Sequence, residues 1–98
     1  MDSQPGITIA HNPARSRVVA IHGGEEIGFM SYREDAGAIV IDHTIVDPRF
    51  QGQGVASQLV REGLTALAEA SPKRVVAACS YVRIWLGRHP EFAHLTEW

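Results

Sequence analysis

Between Ala38 and Cys79 the chain changes its hydrophobic period twice, and that double change leaves few ways to fold. Ala38 to Val46 is dense in β-branched residues and reads as a strand. From Gly54 to Ala70 the period turns helical. At about 100° per residue, Ala56, Leu59, Val60, Gly63, Leu64, Ala66, Leu67 and Ala70 fill an arc of about 160°, and polar residues such as Ser57, Gln58 and Arg61 take most of the remainder. The small residues on that arc would let the helix axis approach a sheet closely. Ser71-Pro72 closes the helix, because proline disfavours helical geometry in the residue before it. Arg74 to Cys79 is then a short apolar run without alternation, which suits a strand buried on both faces. Strand, helix and strand predict one parallel βαβ unit, whose right-handed crossover sets the carboxyl ends of its two strands side by side.

The flanks complete an α+β fold. Val18 to Ile21, closed by Gly23-Gly24, pairs naturally with Ile27 to Tyr32, and a second turn at Glu34 to Gly37 leads into Ala38. The expectation is a three-stranded antiparallel meander ahead of the βαβ unit, with Ile7-Thr8-Ile9 as a weak edge strand or a loose arm. After Cys79, Ser80 can cap a C-terminal helix carrying Val82, Trp85 and Leu86, which must stop or kink near His89 because Pro90 follows. All 98 residues are expected to form a single domain, with its core at about 17–93.

Composition removes several classes of function. A formal net charge of -2 gives no basic footprint for a nucleic-acid backbone. Cys79 is the only cysteine, so an intrachain disulfide and a zinc site of several thiolates are both excluded; a reducing cytoplasm fits best. His11, His22 and His94 show no ligand spacing, and no metal is expected. No apolar run approaches the roughly 20 residues that span a bilayer, so the chain is expected to be soluble, without a membrane partner.

The chemistry points to the junction between the first strand and the long helix, where Asp47-Pro48-Arg49-Phe50 leads into Gln51-Gly52-Gln53-Gly54-Val55-Ala56. Two glycines let the backbone turn tightly and approach a ligand with no Cβ in the way. The helix start presents unpaired N–H groups and about half a positive charge from the aligned peptide dipoles, which favours an anion such as phosphate. An ordinary glycine turn entering a helix is the competing reading. A P-loop is excluded by the missing Gly-Lys-Ser/Thr ending, and a dinucleotide fingerprint by Ser57 where its third glycine would stand.

What remains is a Gln/Arg-x-x-Gly-x-Gly/Ala pattern, matched by Gln51, Gly54 and Ala56, and here the chain resembles the GNAT acetyltransferase superfamily. It looks most like the minimal, single-domain branch, through His43-Thr44, Val46, Gln51 to Gly54, Leu59-Val60, Cys79 with Val82, and His89-Pro90-Glu91-Phe92. The resemblance implies a truncated GNAT fold without the final hairpin, with acetyl-CoA as cosubstrate in the cleft where the parallel strands splay. Ile45 and Val46 would pair with the pantetheine arm, and Gln51, Gly52, Gln53, Gly54, Val55 and Ala56 would surround the pyrophosphate. The implied activity is N-acetyl transfer to a small amine or a protein lysine, by a monomer or weak homodimer.

Candidate chemical groups are fewer. Cys79 ends a strand and precedes a helix start, where a nucleophile could accept acetyl, or it is a small residue walling the pocket. By strand parity His43 shares a face with Ile39, Ile41 and Ile45; it would meet Cys79 across the cleft as a base, or be a satisfied core histidine. Many relatives carry an acidic residue where this chain has Ile45, and a tyrosine proton donor where it has Trp85; Tyr81 lies one turn earlier. His89 reads as a helix-end cap or a coenzyme contact, and Arg83 and Arg88 as solvated residues or contacts to the 3′-phosphate of the coenzyme. The absent acid and base keep open a second class of function, a coenzyme A-binding or sensing module with little turnover. A third is an interaction domain whose glycine loop is merely a turn.

Overall fold

The computed structural model describes residues 6–96. Strands β1 (Ile7–Asn12), β2 (Arg17–His22), β3 (Glu25–Asp35) and β4 (Ala38–Val46) are followed by helix α1 (Val55–Ala70), strand β5 (Arg74–Ala77) and helix α2 (Ser80–Gly87). Short 3-10 helices occupy Pro13–Arg15, Pro48–Phe50 and Pro90–Leu95. The strands form one sheet in the order β1-β2-β3-β4-β5, antiparallel except for the parallel pair β4-β5. The α+β reading and the βαβ unit therefore hold. No described helix is long and apolar enough to cross a membrane.

The antiparallel part has four strands where three were expected. β1 pairs with β2 from Ile7↔His22 to Asn12↔Arg17, and Ile7 and Ile9 pack against the core, so the segment is an edge strand and not a loose arm. The hairpin turns follow from local chemistry. Gly23 and Gly24 sit at φ +58° and +79°, and Ala36 and Gly37 at +52° and +80°, the left-handed pairs that match the twist of the flanking strands.

The core lies between the sheet and α1. Val55, Leu59, Val60, Leu64 and Leu67 of the helix are buried against Val18, Ala20, Met30, Ile39 and Ile41. Each of the buried Val, Leu, Ile and Met side chains contributes about 1.5–3 kcal/mol relative to exposure. Gly63 sets the spacing: a Cβ there would lie 2.7 Å from Met30 Cε and 3.2 Å from Val18 Cγ1. The one buried polar residue among those described, Gln58, donates its amide to Glu62 Oε2 at 2.9 Å.

One irregularity governs the rest. Along β3 and β4 the register runs Met30↔Thr44, Ser31↔His43, then Tyr32↔Ile41, so Asp42 is an extra residue, a β-bulge. A bulge reverses the side-chain alternation. Ile39 and Ile41 face α1, but beyond the bulge the residues facing α1 are Thr44 and Val46, paired with Met30 and Gly28. His43 and Ile45 consequently turn to the opposite face, where both are exposed. The parity that grouped His43 and Ile45 with Ile39 and Ile41 is corrected by this single residue.

Candidate functional site

The parallel pairing begins at Ala38↔Arg74 and ends at Ile41↔Ala77, immediately before the bulge. The N–H groups of Ala78 and Cys79 both converge on the Ile41 carbonyl at 3.0 Å, closing the ladder. From there β4 runs on to Val46 beside β3 alone, while the other chain turns into α2. The strands part, and a cavity of about 360 Å³ opens at their carboxyl ends. Thr44 and Val46 form its strand side, Phe50, Gln51, Gly52 and Gly54 its loop side, and Val55, Ala56, Ser57 and Tyr81 its helical side. The end of parallel strands beside a helix start is where open α/β sheets bind ligands.

The loop is braced from behind. Asp47 accepts from the Arg49 N–H at 2.9 Å, starting the Pro48–Phe50 turn, and Arg49 returns two side-chain bonds to Asp47 at 3.1 and 2.9 Å and one to Glu25 at 3.2 Å. The guanidinium holds the Asp47 carboxyl below its usual range, and the two carboxylates push the Arg49 pKa up. Gln51 donates to the Val46 carbonyl at 3.4 Å and Gln53 to the Arg49 carbonyl at 3.3 Å. The glutamines expected around a phosphate therefore use their amides to tie the loop to the strand end and the turn.

That leaves the backbone facing the cavity. Gly52 and Gly54 adopt φ +80° and +81°, a left-handed geometry costly for other residues. Gly54 caps α1 without a side chain, and the first helical bond runs from Gln58 N–H to the Gly54 carbonyl at 3.0 Å. Among the described residues nothing accepts from the N–H groups of Gly52 through Ser57. A row of donors at the positive end of a 16-residue helix has the chemistry that suits an anion.

Of the eight residues expected to bind a cofactor, Val46, Gln51, Gly52, Gly54, Val55 and Ala56 line the cavity. Gln53 braces the loop from outside its wall, and the Ile45 side chain is 52% exposed on the far face of β4. The thiol of Cys79, packed against the core, donates to Thr44 Oγ1 at 3.7 Å. The structure thus sets Thr44 against Cys79 and turns His43 to the other side of the strand. Thr44, Phe50 and Ser57 were missed. Thr44 is hidden by the bulge, and Ser57 by its polarity, which assigned it to the solvent side of α1.

Trp85, expected from the resemblance at the place of a proton donor, has its indole N–H spent: it donates to Ser57 Oγ at 2.9 Å and ties α2 to α1. The ring stacks on His89 with centroids 3.8 Å apart and meets the edge of Phe92 at 5.0 Å. His89 Nδ1–H donates to the Trp85 carbonyl at 2.7 Å, so this histidine caps the end of α2. Tyr81, one turn earlier, reaches the cavity wall, and burial pushes its phenol pKa up against the opposing charge of Arg88.

Comparison with known proteins agrees with this fold. The family described as GCN5-related N-acetyl-transferase matches residues 17–95. The solution structure of a GCN5-like protein from Staphylococcus aureus shares the fold with a TM-score of 0.69 at 21% identity, over 95% of this chain and 90% of the other. A GNAT-family acetyltransferase from Streptococcus pneumoniae, SP0256, shares it with a TM-score of 0.54 at 22% identity, over 86% of this chain and 69% of the other. No curated protein sequence matches the chain.

Proposed function

The chain belongs to the GCN5-related N-acetyltransferase family, and from that premise we propose that it transfers acetyl from acetyl-CoA to an amine of a small molecule or a protein lysine. The observation that carries the reading is the set of residues Gly52 and Gly54 to Ser57, with N–H groups free of described backbone acceptors, lining a cavity beside the end of β4. A pyrophosphate suits it: two left-handed glycines keep Cβ atoms away, and the helix dipole supplies positive charge. The edge of β4 beyond Ile41, which β5 leaves unpaired, offers the Ile45 and Val46 backbone to the pantetheine amides.

Bound acetyl-CoA supplies the activated thioester; the protein must orient it, admit a neutral amine and return a proton to the departing thiolate. Tyr81 suits the last task, since a phenol with a raised pKa is protonated throughout the neutral range. His43, exposed on the far face of β4, is assigned to the amine side of the gap, while Cys79 stands on the coenzyme side. They serve different partners and do not form a couple. A lysine acceptor, with a pKa of about 10.4, is mostly protonated at neutrality, so the rate should climb with pH.

A second reading is favoured by the position of Cys79 beside Thr44 where the strands part: its sulfur attacks the thioester carbonyl, coenzyme A leaves as the thiol, and the amine then takes the acetyl group from Cys79. The test combines calorimetry with mass spectrometry. Gly54→Val should weaken acetyl-CoA binding at least about tenfold in a folded protein, through the strain of a β-branched residue at positive φ. Unchanged affinity would remove the site assignment. Full transfer by Cys79→Ala would eliminate the covalent route, whereas an acetylated Cys79 that hands its acetyl to an added amine would establish it. Tight binding with no amine modified at any pH would favour the sensing module.

A further inference from the structure

Across β2, β3 and β4 the register aligns Val18, Met30 and Thr44, which face α1, and aligns Arg17, Ser31 and His43 in the row beside them. Alternation places that second row on the opposite face of the sheet, where Val19, Phe29 and Ile45 form the next row of the same face. His43 and Ile45 are exposed, and the Arg17 guanidinium lies over the Phe29 ring, 4.0 Å from its centroid. Charge on β3 and β4 is otherwise closed. Glu25 is bound by Arg49, Glu26 by Arg15, Glu34 by Lys73, and Asp35 and Asp42 by Arg33. These are all the carboxylates of the two strands, and no described carboxylate pairs with Arg17.

A guanidinium held on an aromatic ring and left without a counter-ion keeps its charge-assisted donors for an incoming carboxylate. Phe29 and Ile45, paired across β3 and β4, offer apolar surface beside His43, on the face of β4 already assigned to the amine. We propose that the acceptor is the lysine of an acidic polypeptide segment, with its aliphatic stem along Ile45 and Phe29 and a neighbouring carboxylate bound by Arg17. The inference deepens the acetyl-transfer reading above and rests on it. Separation selects the form of the acceptor, because Arg17 and His43 stand two strand spacings, about 10 Å, apart. An amine and a carboxylate on one carbon are too close to reach both, whereas a lysine amine and the carboxylate of an adjacent acidic residue can. Arg17 thereby sets specificity and takes no part in the transfer itself.

Rates of coenzyme A release from acetyl-CoA, measured with the full chain and three peptides, test it. Each peptide carries one lysine and a blocked N-terminus, and they differ only in the residues flanking the lysine, which are glutamate, glutamine or arginine. The wild type should show a kcat/KM about tenfold higher for the glutamate peptide than for the glutamine one, the scale of one charge-assisted contact, and lowest for the arginine peptide. Arg17→Ala should abolish the preference for glutamate over glutamine, Arg17→Lys should restore part of it, and Arg17→Glu should invert the order so that the arginine peptide leads. Equal wild-type rates for the three, or a glutamate preference that survives Arg17→Ala in a protein with native circular dichroism, would overturn the acidic acceptor while leaving acetyl transfer standing. Modification of butylamine but of no peptide would overturn it in the same way; modification of neither would bring down the parent reading with it.

Discussion

The two halves of β4 do opposite work with similar residues. Ala38 to Ile41 is paired on both sides, to β3 and β5, and all four residues are buried. From Asp42 to Val46 the strand is paired to β3 alone and every residue is at least partly exposed. Hydrophobic content does not separate them, since the open half still contains Ile45 and Val46. The difference is one inserted residue at the point where β5 ends, so burial is concentrated on one side of Asp42 and the cavity wall on the other.

The strongest way to break that contrast is to delete Asp42. Restoring the register would return the strand to regular alternation, turn His43 and Ile45 toward α1 and extend the pairing with β5 into the cavity. Acetyl-CoA binding, read by calorimetry, should then be lost altogether; retained binding would show that the bulge does not open the site. Next comes Ile41→Ala in the closed half. It removes a fully buried side chain, which should cost about 2–5 kcal/mol in urea unfolding and lower coenzyme affinity little while the protein remains folded. The smallest effect belongs to Thr44→Val, nearly isosteric in the open half. Unfolding stability should change by less than about 0.5 kcal/mol, while removal of the hydroxyl beside Cys79 should alter the rate of modification of that thiol by a maleimide. An equal stability loss for the last two variants would abolish the distinction between the halves.

Much of the architecture was legible because it follows from local rules. The helical period of residues 54–70, the stop at Ser71-Pro72 and the apolar run at Arg74 specified the βαβ unit, and Gly23-Gly24 specified the hairpin of β2 and β3. The glycine loop was equally legible, since left-handed glycines ahead of a helix dictate free N–H groups whatever surrounds them. β1 was ambiguous because a short edge strand has little apolar pattern of its own; packing against α1 decides it.

What the sequence by itself determined is most of the set of elements and the place of the glycine loop, because backbone preference and hydrophobic period act over a few neighbouring residues. Only the tertiary structure decided which side chains share the cavity. No period in Ile39 to Val46 announces that Asp42 is extra; that depends on how β3 and β5 together hold the strand, and it moves Thr44 to Cys79 and His43 away. Likewise Trp85 and Ser57, 28 positions apart, become partners only when α2 docks on α1, turning an apparent stand-in for a catalytic residue into a brace. Contacts between distant segments are set by register and packing, which no local stretch of sequence contains.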